Sequence, residues 1–128
     1  MAVGELDEIV VDCADPASLA VFWARVLGGE PVDRSPDWSY VDPPGQTRVA
    51  FQRVPEPKSG KNRLHIDVAV ADIHAASAEL AALGARLVGG IVTDTAGSFQ
   101  VLLDPEGNEF CAVSGIDRTG RTGAEAVR

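Results

Sequence analysis

One feature limits what this chain can fold into more than any other: it repeats itself. Leu6-Asp7-Glu8-Ile9-Val10-Val11-Asp12-Cys13-Ala14-Asp15 returns in form as Arg63-Leu64-His65-Ile66-Asp67-Val68-Ala69-Val70-Ala71-Asp72. In each, a polar residue able to ligate a metal opens a β-branched run and an Asp closes it. The offset is 57 residues from Glu8 to His65 and again from Asp15 to Asp72. Each run then enters a helix-like segment ending in Leu-Gly, at Leu27-Gly28 and Leu83-Gly84. A repeat of about half the chain means one supersecondary unit used twice, too small to complete a core alone.

Within the first run, alternation sorts Ile9 and Val11 to one face and Glu8, Val10 and Asp12 to the other. The first face suits a hydrophobic core. The second carries carboxylates at both ends, as an open, watered groove would. Asp15-Pro16 is a strong helix start, because Asp accepts from the free N–H groups of the first turn and Pro is tolerated at the first helical position. Leu19, Phe22, Trp23, Val26 and Leu27 then form one apolar stripe, and Gly28-Gly29 ends the helix.

From Glu30 to Tyr40 the pattern is irregular, Asp42-Pro43-Pro44-Gly45 is a turn, and Arg48 to Val54 reads as a strand. The stretch 55–62 is a linker. The second copy follows with a strand over 64–71, Asp72 as cap and a helix from Ile73 to about Leu83. After it Arg86-Leu87-Val88 leads away and Gly89-Gly90 loosens the chain. Ser98 to Leu103 and Asn108 to Val113 are strands, joined by the turn Asp104-Pro105-Glu106-Gly107. The expected organisation is one domain over 1–116, with modules over about 5–54 and 63–114. Residues 117–128, with almost nothing apolar, read as a disordered tail.

The formal charge of −8 argues against nucleic acid as a partner, since phosphate binding needs clustered Lys and Arg. No run approaches the ~18 apolar residues that cross a bilayer, so no membrane partner and a soluble, cytoplasmic protein are expected. Cys13 and Cys111 fall in strands of opposite copies and read as two buried thiols rather than a disulfide.

Strand, helix and then two or three strands in each half define an α+β protein whose sheet is covered by helices on one face. A ferredoxin-like sandwich fits the same spacing. Glu8, Asp12, His65 and Asp67 on the uncovered face separate the two, because a sandwich of that type often keeps this face flat for dimerisation.

These residues carry a resemblance. Asp15-Pro16 before a helix holding Phe22-Trp23, Leu64-His65-Ile66-Asp67-Val68, and Asp104-Pro105-Glu106-Gly107-Asn108-Glu109-Phe110 resemble the vicinal oxygen chelate superfamily of glyoxalases, bleomycin resistance proteins and extradiol dioxygenases. Ala50-Phe51-Gln52-Arg53-Val54-Pro55 and Gly107-Asn108-Glu109-Phe110-Cys111 are closest to its glyoxalase-like domain branch. The resemblance implies two βαβββ modules forming a curved mixed sheet around a cavity, with helices on the outer face. It also implies that Glu8 and His65 stand at the opening metal-ligand positions of the two modules, as candidate catalytic and metal-binding residues.

At the closing positions the chain departs from that pattern. Cys111 replaces a Glu three residues after Asn108, Glu109 points to the same face one pair earlier, and either Gln52 or Phe51 closes the first module. Two readings follow. One is a small-molecule-binding protein, metal-free or weakly metal-binding, with a pocket between its modules lined by Asp12, Trp38, Tyr40, Phe51, Gln52, Asp67, Glu109 and Cys111. The other is a lyase, isomerase or dioxygenase in which a divalent zinc, nickel, manganese or iron ion chelates vicinal oxygens of a small substrate. A homodimer is expected for either.

Overall fold

Asp15 and Asp72 do the same work in the two halves of the chain. In the computed structural model, which describes residues 2–115, the Asp15 carboxylate accepts from the Ser18 amide at 3.2 Å. The Asp72 carboxylate accepts from the His74 and Ala75 amides at 3.0 and 3.1 Å. Each satisfies first-turn donors that have no partner inside the helix. Pro16 takes the first helical position, and the helices run over Pro16–Leu27 (α1) and Ile73–Ala82 (α2).

The first unit, up to Ser59, contains α1 and four strands: β1 (Glu8–Cys13), β2 (Val32–Ser35), β3 (Trp38–Val41) and β4 (Arg48–Arg53). They form a sheet in the order β1-β4-β3-β2, with β1 parallel to β4 and the other pairs antiparallel. Ile9 pairs with Val49 and Val11 with Phe51, while Ser39 and Val41 flank the same two β4 residues from the other side. Val41, Val49 and Phe51 are buried, as are Leu19, Phe22 and Trp23 of α1. Since α1 packs on β3 and β4, these two sets form one core. Phe22 and Trp23 meet edge to face at 5.3 Å, a favoured aromatic geometry.

The second unit begins at Gly60 and repeats the plan. β5 (Ile66–Ala69), α2, β6 (Arg86–Asp94), β7 (Gly97–Leu103) and β8 (Glu109–Ser114) follow in sequence. The sheet order is β5-β8-β7-β6, with β5 parallel to β8. Alternation places Phe110 and Ala112 on one face of β8 and Cys111 and Val113 on the other. Phe99, Cys111 and Val113 form a buried cluster, with Val101 packed against it, that includes no residue of α2. Ile73 and Leu80 of α2 are buried and so belong to the opposite face, with Leu102 and Phe110.

Each unit is therefore a βαβββ module with its own mixed four-stranded sheet and one helix. The stretch read as irregular, Glu30 to Tyr40, contains the β2–β3 hairpin, where the buried Ser39 hydroxyl donates to Asp33 at 2.7 Å. The stretch after α2 is a nine-residue strand rather than a loose connection. Its register shifts between Val88 and Val92, and Gly89 holds a positive φ of 67° there. The buried Gln100 amide donates to the Val88 and Gly89 carbonyls at 3.2 and 3.0 Å, satisfying groups that the bulge removes from the ladder.

Both cysteines are buried thiols that form no disulfide, as expected. The expected tail, 117–128, lies outside the described residues. Among the described residues, no helix is long and apolar enough to cross a membrane.

Candidate functional site

The parallel ladder of the first module decides which residues share the face away from α1. Glu8 stands beside Arg48, Val10 beside Ala50 and Asp12 beside Gln52, while Trp38 and Tyr40 neighbour Gln52 and Ala50 from β3. Glu8, Asp12, Trp38, Tyr40 and Gln52 thus stand on one side of this sheet. Phe51 does not. It lies on the α1 side at 0% exposure, so its assignment to the ligand pocket is corrected: it is a core residue, and Gln52 is the β4 side chain beside Asp12.

Arg48, which sequence reasoning passed over, organises one end of this face. Its guanidinium donates through Nε to Asp42 Oδ1 at 2.7 Å and through Nη2 to Oδ2 at 2.9 Å, a bidentate fork. It also stacks 3.9 Å from the Tyr40 ring centroid, and Arg34 stacks 4.5 Å from that of Trp38. Asp7, Glu8, Asp42, Gln46, Thr47 and Arg48 line a polar recess of about 400 Å³. The available signal was the alternation that puts Arg48 in phase with Gln52, together with Asp42 six residues before it.

The hydrogen bond from Arg48 holds the Asp42 carboxyl below its ordinary value; partial desolvation opposes it, and the guanidinium charge adds a smaller lowering effect. The same bond, with the charges of Asp42, Tyr40 and Glu8, raises Arg48. A carboxyl depressed in the fold stabilises the fold above its unfolded pKa, and that contribution is lost as pH falls through the folded value. Carboxyl-carbon NMR titration is expected to place Asp42 below the ordinary aspartate range in the wild type and to return it there in Arg48→Ala. Because both groups are exposed, the effect should shrink in high salt.

In the second module three ligand types converge. Asp67 and Cys111 are side by side in the parallel ladder, and His65 precedes Asp67 by two residues, so all three leave the sheet on one side. His65 Nε2 lies 3.3 Å from Asp67 Oδ1. A donor atom from each of His65, Asp67 and Cys111 falls within 4.8 Å of the others. Glu109 shares this face by alternation, but its carboxylate accepts from the Asn62 amide at 2.8 Å, fixing the segment that leads into His65. Glu8 and His65, the two expected opening ligands, belong to different modules.

Two βαβββ modules, each with a polar residue at or just before the start of its first strand on the face away from the helix, define a glyoxalase-like architecture. The family model described as "Glyoxalase-like domain" matches residues 8–113, and the chain belongs to that family, within the vicinal oxygen chelate superfamily. Solved structures share the fold. A glyoxalase/bleomycin resistance protein/dioxygenase family enzyme from Burkholderia phytofirmans is 21% identical with a TM-score of 0.75, covering 87% of this chain and 98% of its own. The bleomycin-binding protein of Streptomyces verticillus, complexed with copper(II)-bleomycin, is 21% identical with a TM-score of 0.63 over 90% and 99%. A variant of the genomically encoded fosfomycin resistance protein of Listeria monocytogenes, complexed with manganese(II) and a dihydroxypropylphosphonic acid, is 14% identical with a TM-score of 0.71 over 88% and 90%. No curated protein matches the sequence.

Proposed function

We propose that this protein binds a small, flat, amphipathic molecule on the open face of its first module. The carrying observation is the pair of aromatic–guanidinium stacks, Arg34 on Trp38 and Arg48 on Tyr40, beside the polar recess that Arg48 shares with Glu8. Half-buried aromatic rings give broad apolar area with little conformational freedom to lose on binding, and Asp12 and Gln52 beside Trp38 supply directional polar contacts. That a bleomycin-binding protein shares the fold supports a binding role.

Tryptophan fluorescence tests this reading, because the chain has two tryptophans and Trp23 is buried in the α1 core. Titration with copper(II)-bleomycin and with a panel of planar aromatic acids is expected to quench the Trp38 emission saturably with at least one of them. Trp38→Ala is expected to weaken that ligand about ten-fold or more, measured by calorimetry, with little change in the unfolding midpoint. Absence of saturable quenching across the panel, or equal affinity in Trp38→Ala, would count against the proposal.

The second module favours another reading, a metal-dependent lyase, isomerase or dioxygenase acting on a small substrate with vicinal oxygens. His65, Asp67 and Cys111 offer the imidazole, carboxylate and thiol donors of known divalent sites. An ion there would supply Lewis acidity. On the protein's own side, the parallel pairing that sets Asp67 beside Cys111 holds carboxylate and thiol together, with His65 Nε2 3.3 Å from Asp67 Oδ1.

A further inference from the structure

Sequence position alone presents Cys111 as a defect, a thiol where metal-dependent relatives of this fold place a carboxylate. The parallel ladder changes that. Asp67 stands beside Cys111 on the neighbouring strand, so a carboxylate is present one strand over, on the same face, with His65 3.3 Å away.

In a tetrahedral zinc complex the metal sits about 2.0 Å from nitrogen or oxygen and about 2.3 Å from sulfur, which separates neighbouring donors of a one-sulfur set by roughly 3.3 to 3.5 Å. The His65–Asp67 spacing already has that value. All three donors lie within 4.8 Å, so closing the set requires movements of about 1 Å, within the reach of side-chain rotation. The His65 and Asp67 side chains are each 30% exposed, leaving an approach for an ion, while Cys111 forms a floor at 2% exposure. Neither Glu109, held by the Asn62 amide, nor Glu8, with Arg48 beside it in the ladder, is needed to complete three protein ligands.

We propose that His65, Asp67 and Cys111 of the second module form a divalent-metal site selective for ions that accept thiolate, zinc(II) and cobalt(II), over manganese(II) and magnesium(II). Sulfur is the deciding ligand. A thiolate favours borderline ions, whereas manganese and magnesium prefer sites built from oxygen. Binding replaces the S–H bond of Cys111 with a sulfur–metal bond and releases the proton to water, while His65 binds as neutral imidazole and Asp67 as carboxylate. The inference deepens the metal-dependent reading, and its test uses no substrate, so a failure of catalysis and a failure of the site are distinguishable.

Cobalt(II) titrated into the metal-stripped full chain under reducing conditions is expected to produce a thiolate-to-cobalt charge-transfer absorption that saturates at one equivalent. Zinc should displace it, and a large excess of manganese or magnesium should not. Cys111→Ser should abolish the band. Cys13→Ser should leave it intact, because Cys13 is a first-module thiol directed to the Gln52 carbonyl at 3.6 Å. Asp67→Asn and His65→Gln are expected to weaken cobalt binding by at least about ten-fold, and they decide the matter should circular dichroism show Cys111→Ser misfolded. No charge-transfer band, a band surviving in Cys111→Ser, displacement by equimolar manganese, or unchanged affinity in both Asp67→Asn and His65→Gln would overturn the proposal.

Discussion

Phe51→Ala is expected to destabilise the fold by about 3 to 5 kcal/mol, the range for a large aromatic removed from a core that cannot collapse around the space. Phe51 is fully buried at the centre of its sheet, with Val11 on one side and Ser39 on the other. Domains are commonly stable by only about 5 to 15 kcal/mol, so the urea midpoint should fall steeply. Trp23→Ala should act similarly through the α1 side of that core. The contrast with Trp38→Ala separates two roles that the sequence left joined: core loss moves the midpoint, and binding-face loss moves ligand affinity. A Phe51→Ala protein with an unmoved midpoint and lost ligand binding would return Phe51 to the open face and undo the register on which the first-module site rests.

That register shows where the sequence stops being legible. Phe51 and Gln52 are adjacent, and a one-residue slip in a strand sends every side chain to the opposite face. Alternation within 48–53 gives two sets of residues without saying which set meets a helix. Pairing Asp12 with Gln52 and Val11 with Phe51 answers it, and that is a tertiary fact.

The helices were legible because their signals are local, a capping Asp, a following Pro or apolar residue and a 3.6-residue stripe. β2 and β6 were not, because both are edge strands with exposed residues throughout much of their length. Nothing in such a strand needs an apolar pattern, and Gly89-Gly90 reads as a break until Gln100 is seen bridging the bulge.

The candidate site divides in the same way. His65 stands immediately before β5 and Asp67 is the second residue of that strand, and their shared face follows from period 2 alone. Cys111 lies far along the chain, and only the parallel pairing of β5 with β8 brings it beside Asp67. Arg48 was read as a strand residue and no more. Its bidentate partner Asp42 opens the turn, and its stacking partner Tyr40 lies on β3, so its role emerges only once the β3–β4 hairpin closes.

The turn before β8 supports the second-module site, and the second large effect is expected there. Asp104 is 4% exposed. Its Oδ1 accepts from the Glu106 amide at 2.9 Å, the Asn108 amide at 3.0 Å and Asn108 Nδ2 at 3.2 Å, and its Oδ2 accepts from Asn108 Nδ2 at 3.0 Å. The backbone closes the same loop, from the Asp104 amide to the Asn108 carbonyl and from the Gly107 amide to the Asp104 carbonyl, each at 2.9 Å. Gly107 supplies the positive φ of 85° that the turn requires. Asp104→Ala strips the acceptor from two backbone amides and one side-chain amide in a poorly solvated loop, at an expected cost of about 3 kcal/mol. Asp104→Asn keeps one carbonyl oxygen for the backbone amides but sets an NH₂ against that of Asn108, and should cost about 1 kcal/mol. Asn108 is followed directly by β8, so loosening this loop frees the strand that positions Cys111 beside Asp67. Urea denaturation with amide hydrogen exchange across residues 104–114 checks both consequences. Equal stability in the two variants, or full protection of β8 in Asp104→Ala, would mean that the sheet fixes the Cys111 register without help from the turn.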